Sequence, residues 1–174
     1  MKRITVVLIC LLLPLILKAQ SSDPVDDLFN KYSGKEGFTS VYISTKMFSM
    51  FENKDSDDED LNNLMKKLKS IRILTVSDSL LNPEINFYTE LSRRTNFKSF
   101  ESLMDVNEGE EVTKFLIKER DNKISELLVI TGGQHGNTVI SIRGDLDLKD
   151  ISGLSRTMGI EQLKELENID QNKK

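Results

Sequence analysis

In the second half of the chain the hydrophobic period changes from helical to strand-like, and this limits the fold more than any other feature. Residues 111–120, 124–131 and 137–143 read as strands, separated by the turns Asp121-Asn122-Lys123 and Gly132-Gly133-Gln134-His135-Gly136. Strand-like segments joined by short turn-forming connections predict consecutive antiparallel hairpins. Residues 97–106 form a weaker strand candidate ahead of them.

The first half reads differently. Asp23-Pro24 has the pattern of an N-cap followed by proline in the first helical turn, and Val25, Leu28, Phe29 and Tyr32 follow at helical spacing until Gly34 and Gly37. Residues 38–45 alternate and are rich in Val, Ile, Thr and Tyr, which predicts a strand with Val41 and Ile43 on its core side. Residues 46–51 form a short helical turn that buries part of its Met and Phe content, and Leu61, Leu64, Met65 and Leu68 make one helical stripe. A second strand is predicted at 71–77. Asn82-Pro83-Glu84 then opens a helix with Ile85, Tyr88 and Leu91 on one face, closed by Arg93 and Arg94. Leu148, Ile151, Leu154 and Met158, then Ile160, Leu163 and Leu166, return to helical spacing near the end. These elements predict an α+β domain, a mainly antiparallel sheet with helices packed on one face. A ferredoxin-like arrangement is one way such strands can close.

The N-terminus has the three-part layout of a secretory signal peptide: Met1-Lys2-Arg3, a run from Ile4 to Leu17 that is apolar apart from Thr5, Cys10 and Pro14, then polar Lys18-Ala19-Gln20-Ser21-Ser22. The run is shorter than the ~20 residues of a membrane-spanning helix, and Pro14 would kink it. Cleavage after Ser21 places small residues, Ala19 and Ser21, at the cleavage site. The expected organisation is a signal peptide over 1–21, one α+β domain over 22–168 and a flexible tail over 169–174, in a protein that is periplasmic or secreted. Membrane association stays compatible with this; a transmembrane anchor after cleavage does not. Removing the leader also removes Cys10, the only cysteine, so the mature chain has no thiol nucleophile, disulfide or cysteine metal ligand.

Composition excludes further chemistry. Lys+Arg 24 against Asp+Glu 28 gives a net charge of −4, and the loss of Lys2, Arg3 and Lys18 with the leader makes the chain more acidic, so there is no electrostatic reason to bind nucleic acid. The stretch Asp55-Ser56-Asp57-Asp58-Glu59-Asp60 offers oxygen ligands of the kind Ca²⁺ takes, but counted from Asp55 the EF-hand glycine position holds Asp60 and the bidentate glutamate position holds Lys66. A solvated loop ending in a helix cap explains the same residues. His135 is the sole histidine, and without cysteine partners it cannot build a zinc site; it reads as part of a hairpin tip. The adjacent glycines are followed by a strand rather than by a helix, which excludes a phosphate-binding loop. Ser152-Gly153-Leu154-Ser155 lacks the hydrolase elbow. Arg93, Arg94 and Lys98 could form a basic patch, though arginines at a helix C-terminus are expected from the helix dipole alone. No residue is assigned a catalytic, cofactor-binding or metal-binding role.

The segment Val139-Ile140-Ser141-Ile142-Arg143-Gly144-Asp145-Leu146-Asp147-Leu148-Lys149-Asp150-Ile151 reads as a strand, a Gly-Asp break and alternating Leu and acid leading into a helix. Together with the leader, the Phe38 to Phe51 strand and turn, and Gly159-Ile160-Glu161-Gln162-Leu163, it resembles the bacterial family named domain of unknown function 4252. The resemblance implies a small envelope protein of Gram-negative bacteria with no cofactor or catalytic residues to carry over. Genes of such families often lie beside those of extracytoplasmic sigma and anti-sigma factors, which points to envelope signalling. Some relatives are lipid-anchored, whereas Cys10 lies in the middle of the apolar run. The expectation is therefore a non-catalytic binding or signalling accessory module with an envelope protein partner. The alternatives are a hydrolase using carboxylates alone and a Ca²⁺-responsive structural protein.

Overall fold

The computed structural model describes residues 23–51, 59–95, 97–147, 149–151 and 154. Helix α1 (Pro24–Tyr32) leads into strand β1 (Phe38–Ser44), followed by helices α2 (Thr45–Phe51) and α3 (Glu59–Lys67), and β2 (Leu68–Val76). A 3-10 turn (Asn82–Glu84) and α4 (Phe87–Thr95) then precede a meander of β3 (Glu101–Glu108), β4 (Glu111–Arg120), β5 (Lys123–Gly132) and β6 (Asn137–Leu146). The strands form one sheet in the order β1-β2-β6-β5-β4-β3, with every neighbouring pair antiparallel. The α+β class and the antiparallel sheet agree with the sequence reading.

Two finer expectations are corrected. The helices do not share one face: α2 and α3 cover one side of the sheet with Phe48 and Leu64, and α1 and α4 cover the other with Val25, Leu28, Phe29, Phe87 and Leu91. The order is not ferredoxin-like either, because β1 and β2, joined through helices, lie side by side instead of enclosing a third strand. Both differences have one cause. The central strands carry apolar residues on both phases of their alternation, as in Phe115-Leu116-Ile117 and Leu127-Leu128-Val129-Ile130, so each face must be covered to keep them from water.

The face under α2 and α3 is apolar where those helices cover it, and ends in a row of threonines, Thr39, Thr75, Thr138, Thr131 and Thr113, opposite one another across β1, β2, β6, β5 and β4. Ile71, Ile140, Ile142, Leu127, Val129, Phe115 and Ile117 meet under the helices, and Ile151 and Leu154 join them. The opposite face is divided. Leu74, Val76, Val139, Ile130, Leu128 and Leu116 pack under α1 and α4, where Tyr32, Phe38 and Phe87 bring α1, β1 and α4 together, with ring centroids 4.7 Å apart for Tyr32 and Phe38. Beyond them, in the same phase of the strands, the face turns polar.

Local boundaries also move for physical reasons. Leu68 belongs to β2, not to the preceding helix, because the chain passes from α3 to the strand without a loop. Gly144 and Asp145 do not break β6: they lie within it, and Gly144 is needed because a Cβ would stand 2.6 Å from the Lys67 carbonyl oxygen. Val41, expected in the core, is exposed, since β1 is an edge strand that extends past the helix covering that face. The helix opened by Asn82-Pro83-Glu84 is only a 3-10 turn; Asn86 caps α4 instead, its Oδ1 accepting from the Thr89 N–H at 2.8 Å, and Ile85 lies before the helix. The strand expected from residue 97 starts at Glu101. The helices expected after Leu154 and most of the acidic stretch from Asp55 lie outside the described residues.

Glu90 on α4 joins α1 to this layer. It accepts hydrogen bonds from Lys31 Nζ and the Tyr32 hydroxyl, each at 2.8 Å. Burial pushes its carboxyl up, but the bonds from Lys31 and Tyr32 outweigh this and hold it below its ordinary 4.5. The Asp105 carboxyl is likewise held down, by its hydrogen bond from Lys114. A carboxyl with a depressed folded value contributes stability that is complete above its unfolded value and lost as pH falls through the folded one. Stability measured by urea denaturation is therefore expected to hold down to about pH 4.5 and decline below it. Glu90→Gln should flatten that decline; an unchanged acid slope in the variant would remove Glu90 from the explanation.

Candidate functional site

The polar half of the divided face is built by strand register. Lys118, Glu126, Arg143 and Ser70 stand opposite one another across β4, β5, β6 and β2, and the next row in the same phase holds Leu128, Ser141, Arg72 and Tyr42. The first turn of α1 closes over this surface and supplies Asp23 and Asp26. Asp23 caps the helix as expected from the sequence, accepting from the Val25 N–H at 2.9 Å.

Arg143 is the centre of the arrangement. Its Nε donates to Glu126 Oε1 at 3.0 Å, Nη2 lies 2.9 Å from Asp26 Oδ1, and Nη2 also reaches Asp23 Oδ2 at 3.5 Å. Burial lowers the affinity of the guanidinium for its proton, but Glu126 and Asp26 outweigh this and leave its pKa raised. Glu126 itself is 3% exposed and accepts a second bond, from Ser141 Oγ at 2.5 Å. Lys118 Nζ stands 3.9 Å from Asp23. The cluster Asp23, Asp26 and Glu126 is thus gathered by one guanidinium.

Arg72 is held differently. Its side chain is 18% exposed, its Nη1 pairs with Asp26 Oδ1 at 2.5 Å, and its guanidinium lies 4.0 Å above the Phe29 ring, which fixes the plane of the group. It borders an open cavity of about 380 Å³ lined also by Ser33, Ser40, Tyr42, Ser70 and Arg143. That lining contains two guanidiniums and four hydroxyl groups and no acid. A second cavity of about 400 Å³ lies on the other side of Arg143, bordered by Lys118, Arg120, Lys123, Glu126 and Asp145. Among the described residues Arg120 and Lys123 make no ion pair, whereas Lys69 is bound to Asp145 at 2.7 Å.

The candidates singled out from sequence fall elsewhere. His135 is exposed in the hairpin between β5 and β6, where its N–H donates to Glu111 Oε1 at 3.0 Å. Arg94 is engaged by Asp27 at 3.6 Å and Glu90 at 3.8 Å, in keeping with a helix end. Among the described residues no group of three or more His, Cys, Asp or Glu is placed to hold a metal ion, and no helix is long and apolar enough to cross a membrane. The Asp147 to Asp150 stretch is a reciprocal cap. The Asp150 N–H donates to Asp147 Oδ1 at 2.9 Å, the Asp147 N–H donates to Asp150 Oδ2 at 2.8 Å, and Lys67 Nζ binds both carboxylates.

A further polar centre was missed from sequence. Asn137 is buried at the start of β6; its Oδ1 accepts from the Phe87 N–H at 3.0 Å, and its Nδ2 donates to the Gly133 carbonyl at 2.8 Å and to Asn82 Oδ1 at 3.1 Å. It ties the β5–β6 hairpin, the 3-10 turn and the start of α4 together.

No curated protein and no solved structure matches the chain. A family model does match, described as Domain of unknown function (DUF4252), over residues 32–154, which includes β1 through β6 and all of the polar sheet residues on them. The chain belongs to the family of domain of unknown function 4252.

Proposed function

We propose that the protein is a non-catalytic accessory module of the bacterial envelope, exported by its N-terminal leader, that binds an acidic group of a protein partner against Arg72 and Arg143. One observation carries the reading: an otherwise covered sheet face leaves open a cavity lined by two guanidiniums and four hydroxyls with no acid among them. Guanidinium groups present planar forks of donors matched to carboxylates, and among the described residues Arg72 has a single hydrogen bond, to Asp26. Its remaining donors are available to an occupant. The cavity opens to solvent and is not enclosed, which suits a side chain presented by a partner surface. The charge-gathering network behind Arg143 holds both arginines in place.

The test is capture from envelope extract with the tagged protein and with Arg72→Glu. The partner recovered by the wild-type protein is expected to fall about tenfold or more with the variant, equivalent to about 1.4 kcal/mol or more of binding free energy. The circular dichroism of the variant should be unchanged, because Arg72 is at the rim of the core. Equal recovery by the two proteins would refute the reading. N-terminal sequencing of the cell-derived protein tests export separately: a start at Ser22 is expected, and an intact Met1 in the cell interior contradicts it.

A further inference from the structure

The two edges of the sheet are built unlike each other. The β3 edge carries Glu101, Asp105 and Glu108, and its pairing with β4 is interrupted by a bulge between Ser102 and Met104. Charges and bulges are how edge strands resist pairing with other chains. The β1 edge has neither device. Its sequence, Phe-Thr-Ser-Val-Tyr-Ile-Ser, contains no charge, proline or glycine, and all seven residues pair with β2 in unbroken register. Val41 is 41% and Tyr42 68% exposed along it. Met47 and Met50, on the helix that continues directly from β1, are exposed as well.

We propose that β1 is a dimerisation strand, pairing antiparallel with β1 of a second copy of this chain. A second copy is selected over a foreign strand by the strand's own chemistry. With no charge on β1, there is nothing for a charged partner segment to read. Self-pairing centred on Val41 uses all seven residues, places Thr39 opposite Ile43, Ser40 opposite Tyr42 and Phe38 opposite Ser44, and opposes no like charges. Such a pairing is isologous and closes as a two-fold dimer. The axis stands perpendicular to the sheet, so the two six-stranded sheets join with like faces on the same side.

This has a consequence for the cavity beside Arg72. Ser40 and Tyr42 line it from β1, and the pairing places Tyr42 of the second copy opposite Ser40, at the rim. The dimer thus extends the cavity wall and sets two such cavities on one continuous surface. That step rests on the binding function proposed above, whereas the strand pairing does not.

Sedimentation velocity of the purified protein, with its N-terminus as the cell leaves it, is expected to show a dimer. Val41→Lys sets two lysines opposite each other on the axis and should weaken the dimer about tenfold or more, with the circular dichroism spectrum unchanged; Asn107→Lys on β3 should leave the dimer intact. In a Cys10→Ser background, Val41→Cys should cross-link into a disulfide dimer on mild oxidation and Asn107→Cys should not. The cysteine pair decides the matter if Val41→Lys fails to fold. A monomeric wild type at every concentration, a dimer that survives Val41→Lys, or equal cross-linking at positions 41 and 107 would overturn the proposal. Dimerisation that persists when Arg72→Glu abolishes partner capture separates it from the binding function.

Discussion

Replacing Arg143 with methionine is expected to lower the unfolding free energy by about 3 kcal/mol, the low end of what breaking a buried ion pair costs. The reason lies in Glu126 more than in Arg143. Glu126 is 3% exposed, and without the guanidinium its carboxylate keeps, among the described residues, only the Ser141 hydroxyl as a partner. Asp26 would still have Arg72, and Asp23 would still cap α1. The low end applies because the Arg143 side chain is 27% exposed and water can enter as it leaves. At about 2–4 °C per kcal/mol for a chain of this size, the melting temperature should fall by roughly 6–12 °C. The double variant Glu126→Leu, Arg143→Met should recover most of the loss, since it removes the stranded charge together with its partner. Denaturant titration of the two variants checks this; equal losses in the single and double variants would show that the arginine stem, and not the charge, holds the strands together.

Asn137→Ala is expected to cost as much or more, about 3–5 kcal/mol, because three buried groups lose their partner at once and each unsatisfied group costs about 1–3 kcal/mol. They are the Phe87 N–H, the Asn82 side-chain oxygen and the Gly133 carbonyl. The damage should be localised. Amide exchange is expected to accelerate at Phe87 and through the first turn of α4, while amides in the β1–β2 pairing keep their protection. Uniform acceleration across the sheet would show that Asn137 supports the whole fold and not this junction.

The strands were legible as runs of strand-forming residues bounded by turn residues, β3 the weakest of them, and Asp23-Pro24 announced the first helix. The division of the sheet face was not. Arg72 between Ile71 and Ile73, and Ser141 and Arg143 flanking Ile142, place polar residues on one phase of the alternation, which in a single strand looks like an ordinary solvent-facing side. Their meaning depends on β2 lying beside β6, a pairing between segments far apart in the chain that no local pattern announces. Asn137 was hidden for a related reason. Asparagine beside glycines reads as turn chemistry, and only the return of residues 82–87 over the hairpin buries it. The missed second helical layer was, by contrast, written in the chain. Runs such as Leu127-Leu128-Val129-Ile130 are apolar on both phases and cannot present one side to water.

The most direct test of the binding reading is calorimetric titration of the captured partner into wild-type protein and into Arg72→Gln. The variant has a polar, uncharged side chain but loses the charged fork. Affinity is expected to fall about tenfold while the circular dichroism spectrum of the folded protein is unchanged. Equal affinity for the two proteins would mean that the polar half of the sheet is structural and that the partner binds elsewhere.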